Sequence, residues 1–203
     1  MKNPVAFFGG LDKEIALLYG EAGSGKTTFA LQAAISIMEN KGKVLFFDTE
    51  QGFSPERFRQ LYNGKEHNYA DHFVRIPLAG FQEQYHAITK FAVHTEKFQL
   101  LVVDTLGNHY RREVKENALA ANRVMDRHLR VLYEISKHIP VLLTNQVYSN
   151  VENGEIVSVG GKMVLKWCSK VVELQRDPRV MVMKKPYDKR ISFTIADCGL
   201  IPE

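Results

Sequence analysis

The segment that decides the fold reads Gly20-Glu21-Ala22-Gly23-Ser24-Gly25-Lys26-Thr27 and fits the pattern G-x-x-x-x-G-K-[ST]. Before it, residues 15–19 form an apolar run typical of a buried strand, and after it residues 28–38 have the apolar spacing of a helix. In this context the pattern cradles phosphate, because the N–H groups of the turn and the start of the helix both attract an anion. The sequence therefore predicts a nucleoside triphosphate site.

Each part of this segment has an expected task. Gly23 and Gly25 can adopt positive φ, which lets successive N–H groups converge on one anion. Lys26 is expected to reach the β- and γ-phosphates, and the hydroxyl of Thr27 is expected to bind Mg²⁺. The predicted phosphate-binding residues are Gly20, Glu21, Ala22, Gly23, Ser24, Gly25, Lys26, Thr27 and Thr28.

The rest of the chain alternates apolar strands with helices, which indicates an α/β fold with a mostly parallel sheet between helices. Strands are predicted at 44–47, 73–76, 100–103 and 140–146, and helices from residue 54, over 81–97 and over 116–138. Residues 63–72 and 147–159 are expected to be loops, with a short helix at 164–168. Strands at 171–174, 180–183 and 191–195 have no helices between them and predict an antiparallel C-terminal extension, within one domain over residues 1–203.

Composition excludes few classes of protein. The net charge of +4 permits a nucleic-acid partner without requiring one. Cys168 and Cys198 are isolated, which argues against a metal site and suits a reducing compartment. No apolar run reaches the length of a signal peptide core or a membrane span, so we expect a cytoplasmic protein without a membrane partner.

Polar side chains follow the apolar strands where each one ends. Because the carboxyl ends of parallel strands meet at one edge, these side chains are expected to surround one ligand. Asp104 is predicted to hold Mg²⁺ through water, and Glu50 to act as the general base that activates water. Gln146 is neutral and has both a donor and an acceptor, which suits sensing of the γ-phosphate. Asp48 is expected to support the turn that carries Glu50.

The chain resembles the RecA/RadA recombinase superfamily in these strand ends, and most of all its RadB branch of short archaeal paralogues. Four segments carry the resemblance: Tyr19–Thr27, Asp48-Thr49-Glu50 with Gly52-Phe53-Ser54-Pro55-Glu56-Arg57, Val102-Val103-Asp104, and Thr144-Asn145-Gln146-Val147-Tyr148. The resemblance implies a RecA-like P-loop ATPase core without a separate N-terminal DNA-binding domain, ATP with Mg²⁺ as ligand, and DNA binding in recombinational repair. It also implies a recombinase or junction-resolvase as protein partner and leaves a homo-oligomer open.

Several residue roles follow from the resemblance alone. It assigns water activation to Glu50, γ-phosphate sensing to Gln146 and a contact with adenine to Arg57. It matches Lys184 and Lys185 to basic residues that reach the nucleotide of a neighbouring subunit.

The resemblance implies DNA contacts in the segments that follow Asp104 and Gln146. The first holds Tyr110, Arg111, Arg112 and Lys115, an aromatic ring among cations, which suits stacking on a base and neutralising phosphates. The second, residues 147–159, has no Lys or Arg and holds Glu152 and Glu155, which should repel phosphate. This departure argues against filament formation and strand exchange, and the resemblance to the RadB branch implies a slow ATPase.

Two other functions remain open on the sequence. A KaiC-like regulator would use the nucleotide to fix a conformation that a protein partner recognises, without acting on DNA. A small-molecule P-loop kinase would need an arginine-rich lid, for which the chain offers only Arg111 and Arg112.

Overall fold

The computed structural model describes residues 4–62, 71–149 and 156–203. Within these ranges one sheet has nine strands in the order β11-β10-β9-β8-β1-β5-β4-β2-β3. The strands are β1 (Ile15–Gly20), β2 (Val44–Asp48), β3 (Phe73–Pro77), β4 (Leu100–Asp104), β5 (Val141–Asn145), β8 (Lys170–Arg176), β9 (Arg179–Lys185), β10 (Lys189–Ala196) and β11 (Gly199–Pro202). A separate antiparallel pair consists of β6 (Val147–Ser149) and β7 (Ile156–Ser158).

Successive side chains of the parallel strands point to opposite faces of the sheet, and both sets are apolar, so both faces need to be covered by helices. Leu18 of β1 packs into one apolar core, and its neighbour Leu17 packs into the other. On the first face lies α1 (Lys26–Glu39), with Phe29 and Ala33 completely buried. On the second lie α3 (Phe81–Phe91) and α5 (Ala118–Ser136). The predicted α/β architecture, with a mostly parallel sheet between helices, is confirmed.

The C-terminal part of the sheet is antiparallel, as predicted. From β8, which runs parallel to β1, the strands β9, β10 and β11 add in succession with alternating direction. Phe193 of β10 and Leu200 of β11 are buried in the same core as α1, so the extension closes over the start of that helix.

Several predicted boundaries were wrong for local reasons. The helix expected over 81–97 ends at Phe91, beyond which Val93 is 73% exposed and no longer follows the apolar spacing. The helix expected over 116–138 is α5, which begins after Asn117, whose side chain accepts a hydrogen bond from the N–H of Ala120. The segment before it forms a further helix, α4 (Tyr110–Glu116), which was not predicted.

Other differences concern the C-terminal half. The expected loop at 147–159 begins and ends as the paired strands β6 and β7, and its residues 150–155 lie outside the described ranges, as does most of the loop predicted at 63–72. The short helix α6 covers Gly161–Leu165 rather than 164–168, and β11 was not predicted. The helix predicted from residue 54 is α2 (Pro55–Tyr62).

Across the described ranges, no helix combines the length and the apolar character that crossing a membrane requires.

Candidate functional site

The backbone of the glycine-rich turn between β1 and α1 lies very close to the C-terminal strands. Gly20 ends β1, where a Cβ atom would lie 2.3 Å from the carbonyl oxygen of Leu174. Gly25 has φ 107° and precedes the first residue of α1, and a Cβ there would lie 2.9 Å from the side chain of Ile195. Only glycine fits both positions without displacing the C-terminal strands. With Gly23 also at positive φ, the turn forms the concave backbone that binds an anion.

Lys26 lies within this turn. Its ammonium donates to the carbonyl oxygens of Gly20 at 2.9 Å and Glu21 at 2.7 Å, and the side chain is buried. Burial lowers the pKa of Lys26, and the nearby carboxylates, Asp104 first, oppose that effect. The turn therefore holds a buried cation on carbonyl groups at the place where phosphates are expected.

Asp104 ends β4 and is almost completely buried beside Thr27. It accepts hydrogen bonds from the hydroxyl of Thr27 at 2.8 Å and from the hydroxyl of Thr144, the residue before the last of β5. Burial raises the pKa of Asp104 to about 6, although both hydroxyls favour its ionised form. A carboxylate and a hydroxyl in contact are the oxygen ligands that Mg²⁺ prefers, so this pair fits the metal that the sequence predicts.

Glu50 is linked to the ends of β4 and β5 by hydrogen bonds. Its Oε1 accepts one from the hydroxyl of Thr105 at 3.0 Å and one from Nε2 of Gln146 at 2.7 Å. The Oε1 of Gln146 in turn accepts from Nη1 of Arg111 at 2.9 Å. These contacts join the predicted base, the predicted sensor and a residue of the predicted DNA surface.

Two buried residues hold these strand ends in place. Asp48 pairs with Arg75 at 2.8 Å and accepts from the N–H groups of Gly52 and Phe53 at 3.2 and 3.3 Å. It therefore orders the turn that carries Glu50, which is the supporting role expected for it. Asn145 donates to the carbonyl oxygen of Val159 at 2.8 Å and so fixes β5 to the end of β7.

One cavity of about 280 Å³ brings most of the predicted nucleotide residues together. It is lined by Ala22, Gly23, Gly25, Lys26, Thr27, Thr28, Glu50, Thr105, Gln146 and Ile195. Asp104 does not line this cavity but accepts a hydrogen bond from Thr27, which does. Arg57 does not line it: its guanidinium donates to the carbonyl oxygens of Ala196 and Asp197 at 2.9 and 3.1 Å, in the turn after Ile195.

The predicted DNA residues lie on α4. Arg111, Arg112 and Lys115 are exposed. Tyr110 is not available for stacking, because it is 7% exposed, its ring lies 6.0 Å from that of Phe81, and its hydroxyl donates to Asn122 at 2.6 Å. The prediction that Tyr110 stacks on a base is therefore corrected.

A cleft of about 630 Å³ separates α4 from β6 and α6. Arg111, Lys115 and Lys162 supply cations at its walls, and Tyr148 of β6 is 44% exposed there. Tyr148 is the aromatic residue that the sequence prediction missed. It belongs to the motif after Gln146, in a segment whose acidic residues predict repulsion of phosphate. Glu152 and Glu155 lie outside the described ranges.

Lys184 and Lys185, which the resemblance matched to residues that act on a neighbouring subunit, have partners within the chain. Lys184 pairs with Glu173 at 3.0 Å, and the ammonium of Lys185 donates to the carbonyl oxygen of Leu165 at 2.7 Å. Thr105 and Ile195 are further residues of the nucleotide cavity without a predicted role. Thr105 was detectable as the neighbour of Asp104, whereas Ile195 had no local signal.

Comparison with known proteins identifies the family of the chain. The Rad51 family model matches residues 6–203. The chain is 35% identical to the DNA repair and recombination protein RadB of Thermoplasma volcanium, over 95% of this chain and 86% of that protein, and 31% identical to RadB of Pyrococcus furiosus, over 95% and 88%. A crystal structure of the RadB recombinase superposes with a TM-score of 0.77 at 29% identity, covering 98% of this chain and 96% of that one, which confirms the RecA-like fold. The chain belongs to the Rad51 family and, within it, to the RadB proteins.

Proposed function

We propose that this protein binds ATP with Mg²⁺, hydrolyses it slowly, and binds single-stranded DNA across α4 in the service of DNA repair and recombination. The repair role is inferred from its RadB relatives, which are DNA repair and recombination proteins. The observation that carries the nucleotide part is the single cavity in which the glycine-rich turn, Glu50 and Gln146 meet.

Phosphate binding would exchange the contacts of Lys26. Its ammonium now lies on two carbonyl oxygens of the turn, and a phosphate oxygen in the cavity would replace them. Thr27 and Asp104 are the residues that would hold Mg²⁺, which supplies positive charge to the triphosphate when bound.

Water activation is assigned to Glu50. Both of its hydrogen bonds fall on Oε1, so we assign the other carboxylate oxygen to the attacking water. Hydrolysis is expected to be slow while Gln146 remains bonded to Glu50 instead of facing the triphosphate.

DNA binding is assigned to the exposed cations Arg111, Arg112 and Lys115, with Tyr148 as the stacking residue. Arg111 and Lys115 line one cleft with the exposed ring of Tyr148, and Arg112 is exposed on the same helix. Cations beside an exposed ring are the arrangement that holds a single strand by its phosphates and its base faces.

The test is a salt titration of a labelled oligo(dT) in the presence of ATP and Mg²⁺, followed by fluorescence anisotropy. Each phosphate contact contributes about 0.7 to the slope of log K against log salt concentration, so Arg112→Ala should reduce the slope by about that amount. Lys13→Ala is the matched control, because Lys13 is exposed at the opposite edge of the sheet, before β1 begins. Equal slopes for the two variants would refute the assigned surface. If the protein binds ATP but binds no oligo(dT) at any salt concentration, the result would instead support a nucleotide-gated regulator.

A further inference from the structure

The wall of the cleft beside α4 continues along α5 and α6. Asn122 of α5 and Lys162 of α6 both line the cleft. One helical turn further along each element, Asp126 and Lys166 lie beside each other, with the ammonium of Lys166 3.5 Å from a carboxylate oxygen of Asp126. Because residues four apart on a helix lie on the same face, these contacts form one continuous seam, the α5–α6 seam, which leads away from the cleft.

This seam carries more positive than negative charge. Lys162 and Lys166 are exposed, and so is Arg130, whose Nε donates to Asp126 at 2.8 Å. Asp126 is thus one carboxylate among three cations. An ammonium has three N–H donors and a guanidinium has five, so Lys166 and Arg130 can each bind a phosphate oxygen while they remain bonded to Asp126. The seam therefore suits a ligand with several negative charges in a row.

An aromatic pair forms the far end of the seam. The rings of Tyr133 of α5 and Trp167, which follows α6, lie 5.5 Å apart, and Tyr133 is 43% exposed. The ammonium of Lys166 lies 5.4 Å from the centre of the Trp167 ring. The ammonium of Lys137, which is paired with Glu134, lies 4.9 Å from the centre of the Tyr133 ring. Cations and ring faces therefore occur together here, as they do on proteins that hold single-stranded nucleic acid.

We propose that a single DNA strand bound in the cleft continues along the α5–α6 seam and stacks a base on Tyr133. The inference rests on the proposed function, because the cleft is where the strand begins. From Asn122 to Tyr133, α5 rises about 16 Å at about 1.5 Å per residue, which is the length of about five nucleotides at about 3.4 Å per nucleotide. An acidic peptide would also meet the cations, but continuity with the cleft and an exposed ring at the end of the seam favour a nucleic-acid strand.

The test uses labelled oligo(dT) of two lengths, about six and about sixteen nucleotides, because only the longer one can fill both the cleft and the seam. Affinity is measured by anisotropy with ATP and Mg²⁺ across salt concentrations. Tyr133→Ala should weaken binding of the longer oligonucleotide about fivefold to a hundredfold, the factor that loss of one stacked base allows, and should leave the shorter one unaffected. Tyr133→Phe keeps the ring and should bind both lengths as the wild type does.

The cations of the seam are tested by the salt dependence. Lys166→Ala should reduce the slope of log K against log salt concentration by about 0.7 for the longer oligonucleotide only. Lys13→Ala, at the opposite edge of the sheet, is the matched control and should change neither slope.

Two results would overturn the inference. If Tyr133→Ala and Lys166→Ala bound the longer oligonucleotide as tightly as the wild type, the strand would not follow the seam, which would then remain as a surface for an acidic peptide. If they weakened both lengths equally, these residues would support the cleft and not an extension of it. Failure of the proposed function is distinguishable, because in that case the wild-type protein would bind neither length, or Arg112→Ala would leave the shorter oligonucleotide unaffected.

Discussion

Asp104 should lower the stability of the protein in the absence of nucleotide, and replacing it with asparagine should reveal by how much. Burial raises its pKa from 3.8 to about 6. One pKa unit corresponds to about 1.4 kcal/mol, so ionised Asp104 costs the folded state about 3 kcal/mol at neutral pH. Asparagine has nearly the same shape and never ionises. Because its amide must re-pair with the hydroxyls of Thr27 and Thr144, we expect Asp104→Asn to raise the free energy of unfolding by about 1 to 3 kcal/mol at pH 8.

The raised pKa of Asp104 also determines how the stability difference between variant and wild type changes with pH. A carboxyl whose pKa is raised on folding is protonated in the folded state first, so its penalty is fully present above pH 6 and disappears as the pH falls towards 4. Urea unfolding without Mg²⁺ or nucleotide, at pH 8 and at pH 4.5, should therefore show a large difference between variant and wild type only at pH 8. The reasoning would be refuted if Asp104→Asn were less stable than the wild type at pH 8. It would also be refuted if the free energy of unfolding changed by the same amount at both pH values.

A neighbouring aspartate provides the matched control. Asp48 is as deeply buried as Asp104 but is paired with Arg75 at 2.8 Å and accepts two backbone N–H groups. Asp48→Asn should lower the free energy of unfolding by roughly 1 to 3 kcal/mol, because it leaves Arg75 without its carboxylate. Because the two substitutions are expected to change the free energy of unfolding in opposite directions, they distinguish a buried carboxylate that serves a ligand from one that stabilises the fold. At pH 8, Mg²⁺ with ATP should stabilise the wild type strongly and Asp104→Asn far less.

Further predictions concern the remaining site residues and the core. Lys26→Ala should abolish ATP binding in a calorimetric titration, whereas Glu50→Gln should keep binding and lose turnover; normal phosphate release from the latter would place the base elsewhere. His128 is buried between rings, which lowers its pKa to about 3, so protonation of the unfolded state should cost the wild type about 2 kcal/mol of stability between pH 7.5 and pH 5. His128→Leu should remove that loss in urea unfolding, and an unchanged pH profile would contradict it. Tyr110→Phe should lower stability by about 1 kcal/mol without affecting DNA affinity, whereas Tyr148→Ala should weaken oligo(dT) binding by roughly 1 to 3 kcal/mol, as anisotropy would show; the reverse pattern would restore Tyr110 as the stacking residue.

The arrangement of the nucleotide cavity was predictable because it follows from the direction of the strands. Parallel strands place their carboxyl ends at one edge, so the side chains after β2, β4 and β5 had to converge near the glycine-rich turn. The contact between Thr27 and Asp104, which are 77 residues apart, needs no information beyond that rule. The same holds for Glu50 and Gln146, which are 96 residues apart.

Contacts that depend on side-chain burial were not predictable. Tyr110 and Tyr148 both look like aromatic residues near a polar segment, and only the packing of α4 on Phe81 buries the first and leaves the second exposed. Arg57 was expected to contact adenine, but nothing local indicates that its guanidinium holds the turn after β10, 139 residues away. That expectation remains a prediction, since adenine could lie beside the same turn.

The charged residues at this edge of the sheet are hydrogen-bonded within the chain. Lys26 lies on carbonyl oxygens, Asp104 accepts hydroxyl hydrogens from Thr27 and Thr144, and Gln146 donates to Glu50. For these residues, ligand binding is therefore an exchange of hydrogen bonds, whereas the buried hydroxyl of Ser24 in the glycine-rich turn has no partner to exchange among the residues that the structure describes. A bare anion could replace the partners of Lys26 but would leave buried Asp104 without a cation, and a bare cation would do the reverse. Because an unpaired buried charge is costly, a ligand that brings an anion and a divalent cation together is expected to replace both sets of contacts, and we therefore expect the site to prefer metal-bound nucleotide over free phosphate or free Mg²⁺.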